Sequence, residues 1–371
     1  MKITFPHMGN IYIPIKTFFE QLGVEVIVPP ICNKRTLELG VKHSPEFACL
    51  PLKINIGNFI ESLEKGADVI VMAGGSGPCR FGYYAQVQRE ILKDLGFHFD
   101  MVVLEPPRGH LLELIQKLGR IVNKKNRTFK EIVNAGKLAW QKAILLDELD
   151  RMASKTRPLE LNKGDTERKY DEAMKLIEKA RNEAEMGDVK REIQEMFLSI
   201  KVDGSRIPVK IGLAGEIYTV LEPFVNLYIE KQLGELGVEV RRSIYITDWF
   251  RENIFPSFLK PKEHAEILKL ASPYINCFVG GHGRETVAEV VRFSREGFEG
   301  VIQLLPFTCM PEIVAKSVLP NVSRKYSIPV MTLVLDEHSA EAGFRTRLEA
   351  FVDMIRHRSE VDIHDKMFAG N

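Results

Sequence analysis

The chain has 371 residues, 45% hydrophobic and 27% charged, with 51 Lys and Arg against 50 Asp and Glu. The length suits about two domains of ~150 residues each, and the composition is that of a soluble globular protein. A formal charge of +1 gives no electrostatic case for nucleic acid as a main partner, and no apolar run approaches the ~20 residues of a membrane span.

The opening MKITFPHMGNIYIPIK reads directly as a strand, without the apolar stretch of a signal peptide. Residues 1–107 alternate strand and helix. KITFPH is a strand, YIPIKTFFEQLG an amphipathic helix ending at Gly23, VEVIVPP a strand and LKINIGNFIESLEKG a helix. DVIVMAGG is continuously apolar, as in a strand buried on both faces; YYAQVQREILKDLGF is a helix and DMVVLEPP a strand. Such alternation implies right-handed crossovers and a parallel sheet.

Residues 108–205 differ. LLELIQKLGRIV, TFKEIVNAGKLAWQKAILLDELDRMA and ERKYDEAMKLIEKARNEAEMGDVKREIQEMFLSI have helical periodicity, with KTRPLELNKGD as a break. Their mixed charges at helical spacing are those of solvated faces. From 206 to 371 the alternation returns. VKIGLAGEI, VEVRRSIYI, INCFVGG, GVIQLLP and PVMTLVLDEH read as strands. LEPFVNLYIEKQLGELG, ETVAEVVRFSREGF, EIVAKSVLPNVSRKY and GFRTRLEAFVDMIRHRSEV read as helices, the last packing back on either lobe. The expected fold is α/β: two Rossmann-like parallel-sheet lobes with a helical insertion between them. FFEQLGVEVIV echoes KQLGELGVEVRRSI, and GADVIVMAGGSGPC echoes GFEGVIQLLPFTC, so the lobes are expected to be alike, with a ligand cleft between them.

The five cysteines are scattered and odd in number, which points to reduced thiols in the cytoplasm and not to a disulfide framework. Three stand out. Cys49 lies in PEFACLPLK, Cys79 in GGSGPCRFGYY and Cys309 in PFTCMPE, each beside Pro or Gly. Cys79 and Cys309 follow apolar strands, where open α/β sheets bind ligands. No CxxC or other zinc-knuckle spacing occurs. Single thiolates from distant segments suit an iron–sulfur centre, whose irons take ligands from several loops; three unrelated buried thiols are the plainer alternative. Three ligands would leave one iron open, and Ser76 is an oxygen donor near Cys79. Cys32, at a strand end, and Cys277, read as a buried strand residue, are weaker candidates.

Gly75 and Gly77 allow close backbone approach to a ligand or cluster. Pro78 fixes the approach to Cys79, and Arg80 is placed to pair with cluster or phosphate charge. The loop is neither GxGxxG nor a Walker sequence. GGHGRETV gives a second Gly-rich turn, with Gly281, His282 and Arg284 at a helix start able to hold an anion. Glu216 ends a strand and serves either as a base or as a helix cap. Asp336, Glu337 and His338 gather in the last strand-end loop, followed by Arg345 and Arg347. Glu216, His282 and Glu337 are the catalytic candidates. No GxSxG elbow appears, which disfavours a serine hydrolase.

PEFACLPLK, GGSGPCRFGYYAQVQREILKDLG, LAGEIYTVLEP, GGHGRETV, PFTCMPE and LDEHSAEAGFRTRLEAF resemble the smaller proteins related to the 2-hydroxyacyl-CoA dehydratase component and its activase. That group includes the double-cubane cluster proteins and the CoA-protein activase-related proteins. The resemblance covers most of the chain outside the helical middle. It implies an iron–sulfur cluster, of 4Fe-4S type, on Cys49, Cys79 and Cys309 between two lobes of a cytoplasmic protein of anaerobic metabolism. It implies as partner an ATP-hydrolysing activator with its own cluster, and a related second subunit or a homodimer. In the dehydratases a low-potential electron makes a ketyl radical from a 2-hydroxyacyl-CoA and allows loss of water. The chain departs from that pattern in lacking a clear CoA-binding signature. A lyase, a cluster-dependent reductase, a non-redox binding module for a phosphorylated or CoA-type ligand, and a regulatory partner of an activase all stand at this point.

Overall fold

Short runs of Val, Ile and Leu, each closed by Gly or Pro, make the strands of this protein, and amphipathic segments between them return the chain on either face of a sheet. The computed structural model describes residues 1–75, 78–105, 111–122, 128–253 and 262–368. In the first lobe these elements are β1 (Lys2–Thr4), α1 (Tyr12–Gln21), β2 (Glu25–Val26), α2 (Lys34–His43), α3 (Leu50–Glu64), β3 (Val69–Ala73), α4 (Tyr84–Asp94) and β4 (Asp100–Leu104). Four helices follow: α5 (Leu111–Ile121), α6 (Phe129–Thr156), α7 (Asp165–Lys179) and α8 (Glu183–Leu198). The second lobe begins with β5 (Val209–Gly215), α9 (Ile217–Leu221), α10 (Ile229–Glu235), β6 (Val238–Arg242), α11 (Ile246–Asn253) and α12 (Lys262–Ala271). It ends with α13 (Gly283–Arg295), β7 (Gly300–Pro306), α14 (Met310–Tyr326), β8 (Val330–Leu335) and α15 (Glu341–Phe368).

Both sheets are parallel and four-stranded, in the orders β2-β1-β3-β4 and β6-β5-β7-β8. The two orders are the same, so the lobes are topological copies, as the sequence echoes predicted. In each sheet the strand order reverses beside the first strand, between β1 and β3 and between β5 and β7. Crevices at such points, beyond the carboxyl ends of the strands, are the ligand sites of open α/β sheets. His7 follows β1, Cys79 follows β3, Glu216 follows β5 and Cys309 follows β7. The candidate residues thus occupy four equivalent strand ends.

Several elements differ from expectation. VEVIVPP pairs only through Glu25 and Val26, because Pro29 and Pro30 lack the N–H a ladder needs. A helix absent from the sequence reading, α2, is nucleated by Asn33, whose side chain accepts from Arg35 and Thr36 while Thr36 returns the bond. The long charged segment splits into α7 and α8, with Asn182 capping the second. Beyond Leu221, the end of α9, LEPFVNLYIEKQLGELG is helical only over Ile229–Glu235, since Leu227 and Tyr228 take left-handed φ values of 56° and 55°. INCFVGG is a loop and not a strand: Ile275 and Val279 turn into the second lobe's core while Cys277 is exposed. Cys277 is therefore not the buried strand residue its apolar neighbours predicted.

The helices between the lobes share a core with the first. Ile13 of α1 packs with Leu138, Leu145, Leu149, Ile177 and Ile193. They also close the second. Ser154 of α6 donates through Oγ to the carbonyl of Val240 and accepts its N–H at 3.1 Å, capping the outer edge of β6. A covered edge cannot template pairing with another chain. The C-terminal helix α15 packs on the second lobe through Phe344, Leu348, Phe351, Val352 and Ile355.

The α2–α3 crossing sets the distance between the Cys32 loop and Cys49, and two glycines make it possible. A Cβ on Gly40 would lie 1.8 Å from the carbonyl oxygen of Lys53, and one on Gly57 1.9 Å from that of Thr36. Both obstacles are backbone, so the helices would have to separate. Gly57→Ala is expected to destabilise the protein by about 2 kcal/mol or more, the upper range of overpacking. A fall in Tm with retained helical circular dichroism checks this.

Candidate functional site

All three cysteines begin helical segments. Cys49 is the N-cap of α3 and Cys309 that of α14, each followed by Pro in the first turn, and Cys79 caps the short helical turn Arg80–Tyr83 that leads into α4. Free backbone N–H groups and the positive end of the helix dipole face such positions and favour negative charge on sulfur.

The Arg80 guanidinium ties the three loops together. It donates to the carbonyl of Phe47 at 3.0 Å, two residues before Cys49. It also donates to the carbonyl and hydroxyl oxygens of Thr308 at 2.6 and 3.0 Å, one residue before Cys309. Thr308 Oγ1 closes the set by donating to the Phe47 carbonyl at 3.2 Å. Thr308 has a φ of +67°, rare for a β-branched residue. A conformation of that kind costs ~1–3 kcal/mol and persists where its surroundings hold it. Arg80 is therefore a brace between loops, a part that the sequence expectation of cluster or phosphate pairing did not include.

The GGHG turn of the second lobe lies against the same loops. A Cβ on Gly280 would lie 2.7 Å from the Cys79 nitrogen, and one on Gly283 2.3 Å from the Pro311 carbonyl oxygen. Gly281 lies against the Pro311 ring. The glycines predicted to cradle a ligand serve at least to let the Cys79 and Cys309 segments approach. Gly75 packs against Phe81, where a Cβ would meet the ring at 2.6 Å. Ser76 and Gly77 lie outside the described residues.

Cys49 contributes to the rise of the Cys309 thiol, and Tyr84, which hydrogen-bonds Cys49 Sγ, responds to both Cys49 and Cys79. The Glu216 carboxylate acts on all three thiols. Burial pushes Cys49 up to about 11, Cys79 upward, and Cys309 far above the ordinary thiol range. Glu216 is raised by burial too, although it accepts from the Tyr218 and Thr219 backbone N–H groups at 3.0 and 2.9 Å and from Thr219 Oγ1 at 2.8 Å. It is thus a helix cap as well as a site carboxylate. Two buried thiols, Cys49 and Cys309, with the half-buried Cys79 are ill suited to carry their charges alone, and a cationic centre would remove that penalty. Thiolates are the ligand type that iron–sulfur clusters take.

Other candidates fall elsewhere. Glu337 pairs at 2.5 Å with Lys53, a buried ammonium in the first turn of α3, so it ties the lobes one turn beyond Cys49. Asp336 accepts from His338 N–H and Ser339 Oγ at 3.0 Å, a self-contained turn. Arg345 pairs with Glu349 and Glu235, and Arg347 is exposed. His282 caps α13 and lines a cavity of about 270 Å³ with Arg151, Arg241, Arg242, Arg292 and Trp249. Cys32 sits apart, buried with His7 and Glu222. The sequence reading missed His7, Glu222, Tyr84, Lys53 and Thr308. Only His7 and Glu222 carried a signal, each being a polar residue beside Pro, His7 just beyond β1 and Glu222 at the end of α9.

Residues 7–73, from His7 to the end of β3, match the family model of the CoA enzyme activase uncharacterised domain. The first lobe therefore carries a CoA enzyme activase-related domain, in line with the CoA-protein activase part of the resemblance. The match takes in Cys32 and Cys49 and stops before Cys79. No curated protein matches the chain. Among the described residues no helix is long and apolar enough to cross a membrane.

Two outcomes are expected. Arg80→Ala releases the Phe47 and Thr308 carbonyls, lowers stability by about 1–2 kcal/mol, and speeds alkylation of Cys309 in the metal-free protein. Arg80→Lys does not restore the wild-type rate, because an ammonium lacks the planar fork. Peptide mass spectrometry after timed iodoacetamide labelling checks both. Glu312, buried three residues past Cys309, accepts from Thr286 Oγ1 and Gln303 Nε2 at 2.9 Å, and burial pushes it from 4.5 to about 8. A carboxyl raised in the folded state stabilises below its unfolded value and loses that contribution as pH rises through its folded value. Tm should therefore fall between about pH 5 and 8, and Glu312→Gln should flatten that fall in a calorimetric pH series.

Proposed function

We propose that the protein is an iron–sulfur protein of the 2-hydroxyacyl-CoA dehydratase-component type, working in ATP-coupled low-potential electron transfer, reduction or radical dehydration. The observation that carries this reading is the Arg80 brace, which joins the segments of Cys49, Cys79 and Cys309 across two lobes. The activase-related domain supports a working relation with CoA-enzyme partners, here an ATP-dependent activator bearing its own cluster.

A cluster held on these thiols would supply a low-potential electron and an iron site open to substrate oxygen. The chain does the rest. Cys49, Cys79 and Cys309 bind as thiolates at helix N-termini. Arg80 keeps their loops in register, and the glycines at 280, 281 and 283 exclude water by close backbone packing. Glu216, a half-buried carboxylate whose charge acts on all three thiols, holds or yields a proton at its carboxylate. Phe47, Tyr83, Phe278 and Phe307 stand exposed in the same loops and offer an aromatic rim to an electron-donating partner.

A second reading, a non-redox module for a phosphorylated or CoA-type ligand, rests on the cavity of about 270 Å³ whose four arginines face four carboxylates, Asp248, Glu252, Glu285 and Glu289. Its binding would survive loss of the thiols.

Anaerobic purification should yield about four irons and four sulfides per chain with the spectrum of a reducible cluster. Cys49→Ser, Cys79→Ser or Cys309→Ser should each remove most of the iron. A protein that stays iron-free after reconstitution, with all three thiols freely alkylated, would sink the proposal. Ligand-induced thermal shifts that persist in the three serine variants would favour the binding module.

A further inference from the structure

The seam between the lobes holds a second group of metal-binding side chains. His7 Nδ1, Cys32 Sγ and a Glu222 carboxylate oxygen lie within 4.8 Å of one another. All three residues are buried, at 4%, 2% and 1% exposure. They come from three separate segments: His7 after β1, Cys32 in the loop after β2, and Glu222 after α9 in the opposite lobe. His7 Nδ1 lies 2.8 Å from Glu222 Oε2 and 3.8 Å from Cys32 Sγ. One ring nitrogen therefore faces both other donors, which is the arrangement of ligands around a common point. A relay through the two opposite nitrogens would look different.

The surroundings are built to orient these donors. Glu222 Oε2 accepts from Gly9 N–H at 2.7 Å, and Oε1 from Phe224 N–H at 3.3 Å. Gly9 permits this approach: its φ is +52°, and a Cβ there would meet the Leu221 carbonyl oxygen at 2.3 Å. The Tyr12 ring stacks on the His7 ring at 5.8 Å. The Tyr218 hydroxyl donates to the His7 carbonyl at 2.6 Å and lies 4.0 Å from Cys32 Sγ. Asn58 Oδ1 is 3.6 Å from that sulfur and adds an oxygen donor. Outer-shell bonds of this kind fix first-shell ligands around bound metals. Cys32 belongs to an apolar cluster with Leu50 and Ile54, and its sulfur also meets an imidazole, a carboxamide and a phenol.

We propose that His7, Cys32 and Glu222 form a mononuclear site for a zinc-type divalent cation that clamps the two lobes together, separate from the three-cysteine centre. Mixed nitrogen, sulfur and oxygen donors suit a borderline-soft ion of variable geometry. Charge balance agrees. The Cys32 thiol proton leaves to solvent, the imidazole binds through Nδ1 with its proton on Nε2, and one thiolate with one carboxylate neutralises the dication. Asn58 Oδ1 supplies the fourth donor. Because the ligands come from both lobes, binding stabilises the closed pair.

Cobalt(II) titration under anaerobic conditions tests this in a variant with Cys49→Ser, Cys79→Ser and Cys309→Ser. The expected result is one equivalent bound, with thiolate-to-cobalt charge-transfer absorption in the near ultraviolet. Adding Cys32→Ser or Glu222→Gln should remove the band and weaken binding by more than the ~10–100-fold that loss of an outer-shell partner costs. No thiolate band in the folded triple variant, or a band that survives Cys32→Ser, overturns the proposal. If circular dichroism shows that the triple variant does not fold, native mass spectrometry of the zinc-loaded intact protein decides. Glu222→Gln should then bind one zinc fewer than the wild type, and equal zinc in both overturns the assignment.

Discussion

One guanidinium carries the organisation of the three-cysteine centre. Arg80 follows Cys79 directly, and its planar fork spans to carbonyl oxygens beside the other two cysteines, one of them in the opposite lobe. No thiol needs to touch another for the loops to be placed. The consequences radiate from that brace. Thr308 is held in a left-handed conformation that its β-branch resists. Gly280 and Gly283 must lack side chains because the second lobe's turn passes between the Cys79 and Cys309 segments. The helices α3 and α14 then start where their exposed N–H groups face the sulfurs.

The lobes are copies in strand order but not in chemistry. Equivalent strand ends carry His7 and Glu216 at one position and Cys79 and Cys309 at the other. A doubled scaffold facing itself brings four strand ends to one seam, and several buried polar groups meet there. Lys53 with Glu337 and His7 with Glu222 both cross it. Buried polar groups are costly unless partnered, so the Lys53–Glu337 ion pair and the His7–Glu222 hydrogen bond both resist separation of the lobes.

Much of this was legible in the sequence, and the parts that were not share a cause. Strands such as DVIVMAGG and GVIQLLP announce themselves because burial on both faces leaves no alternation to misread. The matched loops after them made Cys79 and Cys309 conspicuous. Cys277 misled because ile-asn-cys-phe-val is apolar enough for a strand, while the two left-handed glycines that follow it decide otherwise. The helix α2 was hidden because its face is amphipathic only over ten residues and its cap is an Asn–Thr exchange. Glu222 and His7 were invisible as a pair. They are 215 positions apart, and no local pattern reports a contact made only when two lobes close. Arg80 was noticed as a charge; its role as a brace depends on backbone oxygens, which every sequence has.

The Ser154 cap on β6 bears on how such a chain can be rearranged in evolution. That hydroxyl occupies both the donor and the acceptor of Val240, so the second lobe borrows its finished border from a helix that also shares a core with α1. The border of the lobe is thus completed in part by the helical segment. A shuffled or shortened gene that left α6 behind would produce a sheet with a live margin, ready to recruit a strand from any neighbour. A duplicated ancestor could have given rise to the two sheets, but once the helical segment had become the hem of one and the floor of the other, they could be inherited only together.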